Sequence, residues 1–253
     1  MKTRKIICWV KEEVTDYKIL LRNVPTLVTA LFIVSVILMN ILANKEIYTG
    51  TSWLALDCGI CVSWLSFLCM DMLNRRFGPK AATKISILAT GVNLAVCSIF
   101  FLISNIPGNW GQYYVYQDNI INDSLNNTLG GTWYVLLGST VAFLISSIVN
   151  SSINYTIGTV YTSDSFKVFA LRSYVSTFFA QFIDNFIFAL IVSYNFFGWS
   201  MLQCITCSIT GGILELLCEV VFSPIGYKVC KRWEKGNIGN KYITYVSTKK
   251  EGN

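Results

Sequence analysis

Gln181 and Asp184 stand three residues apart in STFFAQFIDN (176–185), inside a run otherwise as apolar as a membrane span. With Thr177 and Phe188 they are spaced 4, 3 and 4, which lays all four along one face of a helix. Glu215 and Glu219 stand at i, i+4 in a second apolar run, a turn after Gly211 and Gly212, small residues that let helices approach closely. Asn40 and Asn44 close a third run in NILANK, and Asp57 and Asp71 sit toward the two ends of a fourth. A carboxylate near a bilayer centre costs about 2.5–3.5 kcal/mol on insertion scales. Left unpaired, it takes up a proton rather than stay ionised. Such groups face a bundle interior or a water-filled cavity, where they exchange hydrogen bonds or charge with a passing solute or ion. The alternative is structural: an amide bonding across helices, or a protonated acid capping a neighbouring carbonyl. A single Asn fits the structural reading; three carboxylates well inside the spans, one beside a glutamine, fit a substrate or ion pathway.

Bond-breaking chemistry is not expected, and the chain does not read as an enzyme. Histidine is absent, which removes the commonest general base and metal ligand. No phosphate-binding Gly-rich motif, nucleophile elbow or HExxH is present. Two CxxC pairs, Cys58/Cys61 and Cys204/Cys207, raise a metal site or a redox couple. Cysteine is also a small apolar residue that packs well in helices, and packing is the reading taken, with no metal and no cofactor.

The elements that must position these residues are membrane helices. Of 253 residues, 53% are hydrophobic and 13% charged, with a mean hydropathy of +0.52. Soluble domains carry about 25% charged residues. The first twenty-odd residues are charged and polar and do not read as a secretory signal. Windows of about twenty apolar residues predict six spans, at roughly 25–43, 53–70, 84–104, 133–160, 168–193 and 200–226. The fold class is therefore an all-α polytopic bundle, with a basic tail over 227–253.

Nineteen of the twenty Lys and Arg fall in the N-terminal segment, the loops after spans two and four, and the tail; Lys45 alone lies opposite. The positive-inside rule then places both termini in the cytoplasm of a multi-pass protein of the cell membrane. The net charge of +6 is thus explained without nucleic acid. Segment 1–24 is either an amphipathic helix with Ile6, Ile7, Trp9 and Val10 toward lipid, or a solvated basic tail. The loop 106–132 has no Lys or Arg, and its Trp110, Tyr113, Tyr114 and Tyr116 fit an interfacial belt. Arg172 marks the inner end of span five, so Asp184 lies about 18 Å in at the helical rise, near mid-bilayer.

Several stretches resemble the queuosine precursor transporter family, also called the vitamin uptake transporter family, over residues 25 to 232. LRSYVSTFFAQFIDNFIF (171–188) is similar throughout to that family's R-x-x-x-S-T-x-x-x-Q-x-x-D-x-x-x-F motif. MNILANK (39–45), MDMLNRRFGPKAATK (70–84) and SPIGYKV (223–229) resemble its Asn-rich end of span one, its acidic motif followed by basic residues, and its closing segment. Three positions depart from the pattern. Arg75 replaces a Glu, Ser147 and Asn150 stand where a Gln and an Asp are usual, and Glu215 sits near a common lysine.

The resemblance implies import of 7-deazaguanines, the precursors of queuosine. A deazaguanine presents N1–H and a 2-amino group side by side, which one carboxylate can accept as a pair. Asp184 or Glu215 could serve, with Gln181 and Asn40 or Asn44 reading other edges, Thr177 on the same face, and Trp64 or Phe188 stacking on the base. Asp71, Arg75, Arg172 and Glu219 are assigned gating or structural parts. No ATPase motif is present, which leaves a facilitator, an ion-coupled carrier or the binding subunit of an energy-coupling system. Those subunits dock through A-x-x-x-A on span one; here that span has only Ala30 and Ala43, which argues against such a partner. A carrier for another vitamin or nucleobase and a non-transporting interaction protein are the remaining alternatives.

Overall fold

The computed structural model describes residues 2–130, 133–163 and 165–251, with side chains for 10–130, 134–163 and 165–249. Helix α10 (Met201–Lys235) shows why these sequences form a membrane bundle. Its buried face is Ser208, Gly211, Gly212, Glu215, Glu219, Ser223 and Gly226, small or polar at helical spacing. Its exposed face carries Ile209, Ile213, Leu217, Val221 and Ile225. A helix that turns its greasy side outward is the inverse of a water-soluble amphipath, and the solvent it matches is lipid. Helix α7 (Trp133–Val160) follows the same rule. Ser139, Ser146, Ser147, Asn150, Ser151 and Asn154 face in, and Leu137, Val141, Ile145 and Ile148 face out.

The remaining elements are α1 (Lys2–Asn23), α2 (Thr26–Leu42), a short hairpin of β1 (Glu46–Ile47) and β2 (Leu56–Asp57), α3 (Ile60–Phe77), α4 (Pro79–Ser104), α5 (Gly111–Tyr116), α6 (Asn119–Leu129), α8 (Phe166–Phe188) and α11 (Asn240–Glu251). Helix α8 continues through a π segment (Ala189–Ser193) into the one-turn α9 (Tyr194–Phe196). It packs between α7 and α10, α10 lies against α3, and α3 lies against α2. Phe32, Phe67 and Phe143 meet where α2, α3 and α7 converge, with ring centroids 6.0 and 6.4 Å apart.

The six expected spans coincide with α2, α3, α4, α7, α8 with its continuation, and α10. Among the described residues, α4, α7, α8 with its continuation and α10 are long and apolar enough to cross a bilayer alone. The 17-residue α2 reaches that length only together with the end of α1, from which it turns by 108°. Helix α3 has 18 residues and carries Asp71, Arg75 and Arg76. Several boundaries differ from expectation: α4 begins at Pro79 and not near 84, and α10 runs on to Lys235, into the stretch expected to be a tail. Residues 53–59 are not helical, because Asp57 accepts the Gly59 N–H at 2.7 Å and turns the hairpin into the start of α3. The loop 106–132 holds α5 and α6, with Trp110 pinned by Asn122 (2.8 Å) and Asn126 (2.7 Å).

The steep turn at Pro25 lays α1 across the bundle's end, where it meets α11. Of the residues expected to face lipid, Val10 is exposed, whereas Ile6, Ile7 and Trp9 lie outside the described side chains. Asp16 is the hub of this contact, accepting from Tyr245 Oη (2.5 Å), Lys84 Nζ (3.2 Å) and Lys249 Nζ (3.4 Å). Burial alone would raise the Asp16 carboxyl, but Tyr245, Lys84 and Lys249 outweigh it and hold it below the usual carboxylate range. A depressed folded-state pKa stabilises fully above the unfolded value. The contact is therefore intact at neutral pH and lost as pH falls through the folded value. Spin labels on α1 and α11 should separate on such acidification, and at neutral pH in Asp16→Asn. An unchanged distance in both would remove Asp16 from the contact.

Candidate functional site

Two polar clusters occupy the interior, about one helical turn apart on α10, where Glu215 and Glu219 are successive inward residues. The cluster nearer the hairpin, termed outer after the expected orientation, lines a cavity of about 30 Å³ bounded by Asn40, Asp57, Ser63, Ser139, Asp184, Asn185, Phe188 and Glu215, among others. Glu215 accepts from the Ser63 hydroxyl of α3 and from Asn185 Nδ2 at 3.2 Å. Asp184 accepts from Ser146 Oγ of α7 at 2.7 Å. Asn40 Oδ1 accepts from the Ser139 hydroxyl, while its amide N–H goes to Val36 O at 3.0 Å within α2. Gly211 makes this arrangement possible, since a Cβ there would stand 2.7 Å from Asn185 Nδ2. The hairpin borders the cavity through Asp57 and is tied down by Trp199 Nε1 to Glu46 (2.8 Å) and Thr206 Oγ1 to Trp53 O (2.7 Å).

The inner cluster centres on Asp71 and Glu219, both fully buried. Asn150 and Asn154 of α7 donate to Asp71 Oδ1 at 2.8 and 3.0 Å. Ser173 Oγ lies 2.5 Å from Asp71 Oδ2 and also bonds Glu219 Oε1. Thr177 Oγ1 lies 3.3 Å from Asp71 Oδ2 and 3.0 Å from Glu219 Oε2. Arg172 is held one step away, donating to Asn154 O (3.2 Å) and Oδ1 (2.9 Å). Its guanidinium crosses α7 at Gly158, where a Cβ would come within 2.4 Å of Cζ.

The structure thus brings Asp184, Glu215, Asn40 and Phe188 to one cavity, and places Thr177 with Asp71, Glu219 and Arg172 instead. Gln181 lies on α8 between the two groups, fully buried, with neither amide atom hydrogen-bonded. Trp64 is elsewhere, stacked on Phe222 (4.4 Å, 15°) with its indole N–H on Cys61 O. Asn44 caps α2 through Asn40 O and Ile41 O and borders a second small cavity. Arg75 lies over the Phe169 and Tyr227 rings, 5.3 Å from each, and near Glu234. Cys204 and Cys207 pack with Leu56, Ile60 and Trp199.

Ser63, Ser139, Ser146, Ser173, Asn154 and Asn185 escape the sequence reading. Lone serines in apolar helices carry no positional signal, because most bond back to their own backbone, as Ser66 does to Ser63 O. Asn154, four residues after Asn150, and Ser173, four before Thr177, extend stripes that were legible. A larger cleft of about 850 Å³ opens where α1, α4, α7 and α11 meet. Its charges are largely paired in the contact between α1, α4 and α11, Lys84 with Glu13 and Asp16, and Lys249 with Asp16, so the small interior cavity, where buried acids converge, is the better site.

A sequence model of the family described as "Putative vitamin uptake transporter" matches residues 57–229. The chain belongs to this family. No curated protein and no solved structure matches the chain. The matched stretch opens at Asp57 and contains Asp71, Asp184, Glu215 and Glu219, the acids of both clusters. Asn40 and Asn44 precede the match.

Proposed function

We propose that the protein imports queuosine precursors, 7-deazaguanines such as preQ0, preQ1 or queuine, across the cell membrane through six spans with both termini cytoplasmic. The observation that carries this reading is the convergence of Asp184 from α8, Glu215 from α10 and Asn40 from α2 on one cavity in a chain of a vitamin uptake family. A carboxylate there matches the adjacent N1–H and 2-amino donors of a deazaguanine, an amide reads a further edge, and Phe188 offers a ring to the base. About 30 Å³ admits a water and not a bicyclic base, so loading requires the elements around the cavity to part.

The reading is tested by restoring queuosine in the tRNA of a precursor-auxotrophic host that lacks its own importer, supplied with each precursor in turn. Restoration with at least one precursor is expected; a well-expressed protein that restores none would redirect the search to another vitamin or base. The orientation is tested by reporters fused at Asn122 and Gly239. The first should be accessible only from outside the cell and the second only from within, and labelling of Asn122 from the cytoplasm would reverse the topology.

A further inference from the structure

The Asp71–Glu219 pair does not line the cavity, and its hydrogen bonding is incomplete as drawn by the heavy atoms. Asn150 and Asn154 supply both N–H bonds to Asp71 Oδ1. That leaves Asp71 Oδ2 and both oxygens of Glu219 to share the Ser173 and Thr177 hydroxyls, each within bonding distance of both acids. A hydroxyl has one hydrogen. Three acceptor oxygens therefore face two hydrogens, and the same two hydroxyls bridge the two carboxyl groups. Two ionised carboxylates, buried and bridged by the same two hydroxyls, repel each other; the arrangement closes only if one of them carries a hydrogen.

A second observation points the same way. Asn150 is fully buried, its Nδ2 is fixed on Asp71, and its Oδ1, held in the same cluster, has no donor. An orphan acceptor beside a carboxyl pair is a place for a mobile hydrogen. The charged and titratable groups around the pair are few. Helix α8 brings Arg172, already engaged by Asn154; α3 brings Cys69 and Arg75; α10 brings Cys230 and, a turn outward, Glu215; α7 brings only amides and hydroxyls. No lysine or histidine competes for the position among these elements' inward residues. Gln181, with both amide atoms buried and unbonded, continues the polar face of α8 from Thr177 toward Asp184.

We propose that Asp71 and Glu219 hold one proton between them, and that this proton is the coupling ion of transport. The step is a plain transfer. An O–H bond of the carboxyl breaks toward the cytoplasmic side, leaving a carboxylate, and a proton arriving from the outer cluster along the Gln181 face re-forms it. The proposal rests on the transport reading for its second half only.

Infrared spectra of the reconstituted protein test the first half without any substrate. Subtracting Glu219→Gln or Asp71→Asn from wild type at neutral pH should reveal the carbonyl stretch of one protonated carboxyl, because either amide supplies the missing hydrogen itself. Loss of carboxylate bands alone in both differences would show two ionised acids and overturn the site. The second half uses vesicles with a pH indicator inside and the neutral base preQ0 added to a more acidic exterior. Wild type should acidify the interior as preQ0 enters. Glu219→Gln should exchange preQ0 between equal pools yet fail to acidify. Equal acidification by the variant, entry without acidification by wild type, or dependence on sodium in place of the pH gradient would overturn the coupling. If preQ0 enters no vesicle, the transport reading falls and the infrared result still decides the proton site.

Discussion

Asp184→Asn should weaken binding of the carried base roughly ten- to a hundred-fold while leaving the protein inserted and folded. The substitution keeps the shape of the side chain and its place opposite Ser146, whose hydroxyl can still donate to the remaining carbonyl oxygen. What changes is one acceptor oxygen, which becomes an amide donor and faces the base's own donors. A hydrogen bond to a charged group contributes about 1.5–3 kcal/mol, and each 1.4 kcal/mol is tenfold in affinity. Insertion should not suffer, because removing a potential charge from a span lowers its cost. Uptake and equilibrium binding of each precursor by purified protein would measure the effect. If a well-expressed Asp184→Asn protein matched wild type for all of them, recognition would belong to Glu215, which carries its own pair of donors in Ser63 and Asn185.

The largest loss of stability from a single truncation is expected at Asp71→Ala. Four side chains from two helices direct donors at this carboxyl, Asn150 and Asn154 from α7, Ser173 and Thr177 from α8. All are buried, so their orphaned groups cannot turn to water. An unsatisfied buried polar group costs about 1–3 kcal/mol, and this truncation leaves several at once. Against a total stability of about 5–15 kcal/mol, that is a large share. Asp71→Asn keeps acceptor and shape and should melt close to wild type. Thermal melting in detergent separates the two: equal midpoints for Ala, Asn and wild type would mean that the network contributes nothing to the fold.

The α8 stripe was legible because a 4, 3, 4 spacing of polar residues in an apolar run has one geometric meaning. The same holds for Glu215 and Glu219. What one helix's pattern cannot say is which neighbour each residue meets. Thr177 and Asp184 lie on one face, yet seven residues are about 10 Å of rise, so one joins Asp71 and the other the cavity. Trp64 reads as a stacking platform by type, but it is one residue past the inward Ser63, which turns it toward Phe222. Asn150 reads in the sequence as a departure where an Asp is usual; in the fold it is a donor to Asp71, and a third carboxylate there would add charge to a pair already crowded. The helix start at Ile60 was hidden because Leu54, Ala55 and Leu56 are as apolar as a span. Only the bond from Gly59 to Asp57 decides it.

Pro224 sits inside α10, five residues beyond Glu219. Proline has no N–H, so the carbonyl of Val220 loses its partner in the ladder. Ser223 Oγ donates to that carbonyl at 3.4 Å and also meets Tyr174 Oη at 2.8 Å. The helix is therefore already severed at one rung, and the splice is made of side chains. Flexing it sacrifices a neutral bond worth about 0.5–1.5 kcal/mol, not a run of backbone ladder. The ladder of α10 is thus thinnest at this turn, between the arm that holds both glutamates and the arm whose Cys230 and Trp233 pack into the core beside Met72 and Phe77.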